Sequence, residues 1–339
     1  MKRTVVWALI VIALLAGASA AWVWSGLDRS YKGYDGAEQF VDIPSGAGPV
    51  SIGRRLKDAG VIRDEMGFRA ALAASGSGRR LQAGEYRFDR PMTVREVVAK
   101  IARGDVYLRP ITFREGLTIR QMAELFESKG FGPGSAFIES AKNARLIHHI
   151  DPEARDLEGY LFPDTYALPR HSTPSQLIAS MVAGFEKALS PALREQAAAR
   201  GLSVRKLVTL GSIVEKETGK DTERSLVAAV YANRLRIGMG LQCDPTVIYA
   251  LERAGRYTGD LTREDLRFDS PYNTYRYAGL PPGPIAAPGL ASLEAAANPP
   301  DAPYLYFVSR NDGTHAFASS LDEHNRNVFE YQIKPFRKP

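Results

Sequence analysis

The chain has 339 residues, 45% hydrophobic and 24% charged, long enough for two globular units with proper cores. Its formal net charge is +6, of which Lys2 and Arg3 supply two and leave +4 for the rest. No run of Lys or Arg interleaved with aromatics occurs, so there is no basis for a nucleic-acid partner, and a single cysteine, Cys243, excludes an internal disulfide.

From Val5 to Trp24 the chain carries 20 residues without a charge, which as a helix spans roughly 30 Å, the thickness of a bilayer's hydrocarbon core. Lys2 and Arg3 precede it, an arrangement that keeps the N-terminus cytoplasmic and sends the remainder outward. All three tryptophans, Trp7, Trp22 and Trp24, fall here, the last two where an outer interfacial belt would hold a retained helix. A cleaved signal peptide ending near Ala18-Ser19-Ala20 is the competing reading, and both readings place the body outside the cytoplasm.

A polar linker, residues 25–39, leads into a weak internal repeat. Pro49-Val50-Ser51-Ile52, Met92-Thr93-Val94-Arg95 and Leu117-Thr118-Ile119-Arg120 each offer Ser or Thr as an N-cap ahead of an amphipathic helix. Ala83–Phe88 alternates as a short strand. Residues 40–104 therefore read as a small α+β module, and it resembles a LysM-like unit of the type that binds glycan chains.

A further strand at Pro110–Phe113 and a helix from Thr118 follow. Leu157–Tyr166 packs three aromatics with Pro, Gly and two acids; it is either a turn folded over the core or a cleft wall offering aromatic faces to sugar rings. Thr173–Arg200 reads as an Ala-rich scaffold helix interrupted near Pro191.

The next helix carries the candidate chemistry. Leu207, Leu210, Ile213 and Val214 share an apolar arc, and Gly219 is placed as the stop. With Leu207 at zero, Glu217 lands at about 280°, inside the stripe, and Glu215 at about 80°, at its edge. A carboxylate on an apolar stripe is desolvated, so its pKa rises and it holds a proton near neutrality as a general acid must. Arg224–Leu235 forms another helix. Residues 238–249, 270–275 and 279–285 then read as loops rich in Asn, Gln, Asp and Tyr, and Tyr304–Val308 with Thr314–Phe317 as a hairpin about Asn311-Asp312-Gly313. No His-Glu-x-x-His, phosphate loop or dinucleotide fingerprint is present, so no metal or other cofactor is expected.

Ser212–Thr218, Leu241-Gln242-x-Asp244-Pro245-Thr246, Tyr272-Asn273-Thr274-Tyr275, Gly279-Leu280-Pro281-Pro282-Gly283 and Glu323-His324-Asn325 occur in an order that resembles the MltG (YceG-like) endolytic murein transglycosylases of bacteria. Cys243 stands where that family more usually has Ser or Thr, and residues 286–289 lack the Asn or Thr often found before their Pro. The resemblance implies an α+β protein made of a cytoplasmic tip and transmembrane anchor (1–27), a linker and LysM-like module (28–108) and a larger catalytic domain (109–335). It implies a periplasmic enzyme held in the inner membrane, acting on peptidoglycan strands beside cell-wall synthases (penicillin-binding proteins). Glu217 falls on the family's catalytic acid, the residue the helical arc had already singled out. Gln242, Asp244, Asn233, Tyr272, Asn273 and Tyr275 are candidate partners for the glycan's acetamido and hydroxyl groups, Tyr249 and Tyr160 candidate stacking faces, and His315 and His324 candidate cleft residues; any of the loop residues equally has a reading as support for buried backbone.

Overall fold

A computed structural model describes Trp7 and residues 26–76, 81–170 and 172–336. Apart from Trp7, the apolar run Val5–Trp24 lies outside the described residues; among those described, no helix is long and apolar enough to cross a membrane. The protein is α+β and divides into two compact units.

The smaller unit runs to Pro110 and takes back Ala167–Ser172. Strand β1 (Gln39–Ile43) pairs antiparallel with β2 (Gly84–Phe88), Val41 opposite Tyr86. Between them lie helices α1 (Pro49–Asp58) and α2 (Glu65–Ser75), and α3 (Val94–Arg103) follows β2. The core is drawn from all five, with Ile43, Leu56, Phe68, Tyr86, Val97 and Ile101 buried; the Tyr86 hydroxyl donates to the Gln82 and Ile101 carbonyls, which satisfies its polar end. Thr93 closes a reciprocal capping box with Glu96, as the motif predicted. Ser51, by contrast, is not a cap. α1 is capped three residues earlier, on Gly48, because Pro49 has no N–H to leave unsatisfied in the first turn. Buried Glu85 is paired by Arg170 from the returning segment.

The larger unit, Ile111–Tyr166 and Thr173–Pro339, is mostly helical. β3 (Leu108–Thr112) pairs with β4 (Thr165–Pro169), and the chain changes unit inside each of these strands. Helices α4 (Ile119–Ser128), opened by a Thr118–Gln121 capping box, and α5 (Gly134–Ala141) lie between them. Then come α6 (Pro174–Ala188), α7 (Pro191–Ala199), α8 (Val204–Glu217), α9 (Arg224–Arg236), α10 (Asp244–Arg253) and α11 (Leu290–Ala297), a hairpin β5 (Tyr306–Ser309) and β6 (His315–Ala318), and α12 (Leu321–Val328). The break at Pro191 falls where expected, and Asn311 and Gly313 take the left-handed conformations a tight hairpin needs.

Two expectations change. Residues 244–249, read as the end of a loop, instead open the helix Asp244–Arg253: Pro245 sits in the first turn, where proline's fixed φ favours helix initiation. Residues 157–161, one reading of which was a cleft wall, are buried over the core. Gly159 there has φ +82°, and a Cβ on it would lie 2.4 Å from Pro284 Cβ and 3.0 Å from Val208 Cγ1. Gly159→Ala is accordingly expected to cost about 2–4 kcal/mol from the left-handed backbone and overpacking together, measured by denaturant melts.

Candidate active site

α8 is the helix that positions the site. Ser203 caps it by accepting from the Lys206 N–H, and all of Leu207–Val214 is buried, so it is enclosed on every side rather than along one stripe. It packs against α7, α9, α10 and α11; Gly211 allows the closest approach, since a Cβ there would meet Leu293 Cδ2 at 3.1 Å. The helix ends at Glu217, with Thr218 folding its hydroxyl back to the Val214 carbonyl. Two residues apart, the carboxylates of Glu215 and Glu217 point to different places. Glu215 accepts from the Gly289 N–H at 3.0 Å and lies 4.0 Å from Arg224. It is nearly buried among charges, not turned to solvent.

Around Glu217 the structure gathers side chains from separate segments. Cys243 Sγ, just ahead of α10, donates to Glu217 Oε1 at 3.1 Å. The buried Tyr231 hydroxyl of α9 lies beside both the carboxylate and the thiol. Burial pushes the Glu217 carboxyl above the usual range and neighbouring Asp244 pushes the same way; the Cys243 and Tyr231 hydrogen bonds and the His315 imidazole counter in part. Burial and the Glu217 charge also raise the thiol, so Cys243 stays S–H and serves as a donor. Asp244 is exposed and accepts from the Tyr275 hydroxyl at 2.6 Å. His315 on β6 is fixed by Glu223, which accepts from its backbone N–H and sits 2.8 Å from its Nδ1.

The wall of the site is pinned from behind. Gln242 is exposed, in a left-handed conformation at φ 49°, and its N–H donates to the Thr274 carbonyl. The Cys243 N–H donates to Thr274 Oγ1, which also bonds Thr246 Oγ1 at 2.9 Å. Buried Arg234 reaches in both directions, Nη1 to the Leu241 carbonyl at 2.6 Å and Nε to the Leu305 carbonyl at 2.7 Å.

The candidates from sequence therefore separate. Asp244, Tyr275 and His315 come together about Glu217, and Gln242 stands one residue ahead of Cys243, whose thiol meets the carboxyl. Asn273 is fully buried, its amide donating to the Leu266 and Phe268 carbonyls and its Oδ1 accepting from the Tyr275 N–H. Asn233 likewise donates to the Ala302 and Tyr304 carbonyls. Tyr160 is buried against Phe185 with its hydroxyl on Asp151. These three support backbone or core, because their polar atoms are already engaged. His324 stacks on Tyr306, which Arg234 covers. Tyr249 and Tyr272 meet at a tilt of 57°, their rings 5.0 Å apart beside Arg253, and belong to a second cluster centred on Glu158. Among the described residues, no group of three or more His, Cys, Asp or Glu is placed to hold a metal.

Tyr231, Arg234 and Glu158 were missed. The first two stand on a helix whose apolar residues show no single face, and Glu158 was one of the two acids noted in the 157–166 segment without a role. Glu158 is buried; it accepts from the Ile119 N–H and the Tyr249 hydroxyl, and desolvation pushes it up to about 8. The folded state therefore holds a proton that the unfolded chain releases above about 4.5, and the stability this gives is lost as pH rises through about 8. Glu158→Gln should flatten that fall; melting temperatures of both proteins across this interval provide the check.

With this geometry in hand, the relatives are informative. The YceG-like family model matches residues 41–330. An endolytic murein transglycosylase of Bacillus subtilis is 32% identical over 306 residues, covering 86% of this chain and 84% of that protein. One from Streptococcus pneumoniae is 31% identical over 86% of this chain, which spans 58% of that longer relative. The crystal structure of a yceG-like protein from Listeria monocytogenes superposes with a TM-score of 0.59 at 31% identity, covering 86% of this chain and 98% of that one. The chain belongs to the YceG-like family.

Proposed function

We propose that this protein is an endolytic murein transglycosylase that cleaves the bond between N-acetylmuramic acid and N-acetylglucosamine within peptidoglycan strands and leaves 1,6-anhydro ends. The observation that carries the reading is the desolvated Glu217 carboxyl with the Cys243 thiol donating to it and Tyr231 beside it; the names of the relatives support it. Glu217 starts protonated and gives its proton to the glycosidic oxygen. As a carboxylate, stabilised by the Cys243 thiol, it then takes the proton of the muramyl C6 hydroxyl while that oxygen closes on C1. No water is consumed. One acid suffices, and Glu215 is engaged elsewhere by Gly289 and Arg224. Gln242, Asp244, Tyr275 and His315 line the approach to the sugar.

Asp244 keeps a second reading in play, since its charge is felt at Glu217 and a hydrolase needs a second carboxylate to activate water or attack. Mass spectrometry of digested glycan decides between them: anhydro ends are expected, and reducing ends one water heavier would establish hydrolysis. A non-catalytic glycan-binding scaffold is opposed by the buried acid, and turnover of purified sacculi excludes it. On the same reading the smaller unit is a LysM-like glycan-binding module over 28–108, residues 109–335 form the catalytic domain, and Val5–Trp24 anchors the enzyme in the inner membrane. There it would end new strands beside the cell-wall synthases.

The thiol gives a sharper test. A hydrogen bond to the carboxylate lowers its pKa, so losing it raises the pKa further. Activity that needs protonated Glu217 falls as pH rises through that value. Cys243→Ala should therefore shift the alkaline limb of the pH–rate profile upward, and Cys243→Ser should restore it.

A further inference from the structure

α10 connects two chemically different places. It starts at Asp244, beside Glu217, and its last turn at Arg253 is about 14 Å further along at 1.5 Å per residue. There a cavity of about 250 Å³ opens between the last turns of α10, the first turn of α4 and the end of α5. Its floor is Glu158 with Tyr249, joined by their hydrogen bond. Its rim carries both signs of charge: Arg120, Lys142 and Arg253 against Asp156 and Glu252. Ile138 adds an apolar wall. None of these groups takes part in the proton traffic at Glu217. Tyr272 and Tyr275 nevertheless tie the two places together, one ring on Tyr249 and the other hydroxyl on Asp244.

The volume lies below the roughly 300–1,000 Å³ of pockets that enclose whole drug-sized ligands, so it suits the end of a chain rather than an oligosaccharide. A surface of mixed charge with one apolar side matches a ligand of mixed charge with short apolar side chains. We propose that this cavity is a second ligand site, which takes the end of a peptide bearing both a carboxylate and a side-chain ammonium, carried by the murein strand whose sugar lies at Glu217. Arg253, its guanidinium 5.7 Å from the Tyr249 ring and 5.5 Å from the Tyr272 ring, pairs with the carboxylate. Asp156 and Glu252 pair with the ammonium. Glu158, carrying a proton at neutral pH, gives the floor a donor. At about 3.3–3.6 Å per extended residue, a peptide of about four residues spans the length of α10.

The proposal rests on the murein reading of Glu217, and its first test does not need turnover. The full chain is titrated calorimetrically with Nα-acetyl-L-lysyl-D-alanyl-D-alanine, with its Nε-acetylated form and with its C-terminal amide. The doubly charged peptide should bind, each capped form about tenfold or more weaker, as expected for loss of one charge-assisted hydrogen bond. Arg253→Met should weaken the two peptides that keep a free carboxylate, and Glu252→Gln the two that keep a free ammonium. Equal binding of all three peptides, no binding, or binding unchanged in both variants overturns the site. The second test compares KM on peptide-bearing strands with KM on strands stripped of peptide. The preference for peptide-bearing strands should fall about tenfold in Arg253→Met, and a preference that stays the same overturns the link to the substrate. A chain that binds the peptide yet cuts no glycan would reject the Glu217 reading and leave the cavity assigned.

Discussion

Glu217→Gln should lower the rate of anhydro-end formation by about 10³-fold, within the range of about 10² to 10⁴ that a positioned proton donor contributes. The amide keeps the shape of the side chain and can still accept from the Cys243 thiol, but it has no proton to give and no charge with which to take one back. Stability should move the other way. A carboxyl raised by burial favours folding below its ordinary pKa, and that contribution is lost as pH rises through the raised value. The variant, with nothing to ionise there, should melt at the same temperature or higher at alkaline pH. Release of anhydro-muropeptides followed by mass spectrometry, with melts on the same samples, checks both halves. A folded variant that cuts at the parental rate would refute the single-acid mechanism.

Arg234→Ala should be the most damaging change to stability. Its guanidinium joins the Leu241 and Leu305 carbonyls, so truncation strands two acceptors at about 1–3 kcal/mol each and removes the cation over the Tyr306 ring. A loss of about 3–5 kcal/mol follows, and a melting temperature lower by about 10 °C for a unit of this size. Arg234→Lys should recover little, since one ammonium cannot span both carbonyls as the planar fork does. Activity should fall beyond the loss of folded protein, because Leu241 is the residue before Gln242, Cys243 and Asp244. Circular dichroism melts and turnover measured well below the transition separate the two effects.

Local signals were readable where local chemistry decides the conformation. Thr93 and Thr118 start helices because their hydroxyls reach the third N–H and a Glu or Gln reaches back. Asn311-Asp312-Gly313 turns a hairpin because it tolerates positive φ. The acid itself was legible as a carboxylate at an apolar position. Its hydrogen-bonding company was not: Tyr231 and Cys243 arrive from other segments, and no periodicity records such meetings, whereas His315 was legible only as a cleft candidate. The start of α10 was read as loop; proline both ends and begins helices, and only position within the turn tells which. The polar residues of the 270s were readable as a cluster, but whether an amide such as Asn273 faces ligand or backbone depends on carbonyls that the sequence does not display.

The return of Ala167–Ser172 to the smaller unit bears on inheritance. A piece cut off after Pro110 would leave behind Arg170 and strand Glu85, buried and without its counter-charge. The two halves are therefore not beads on a string that recombination can exchange at one junction. Any lineage swapping the N-terminal part must carry two crossover points, so the halves are expected to have travelled through evolution as a pair.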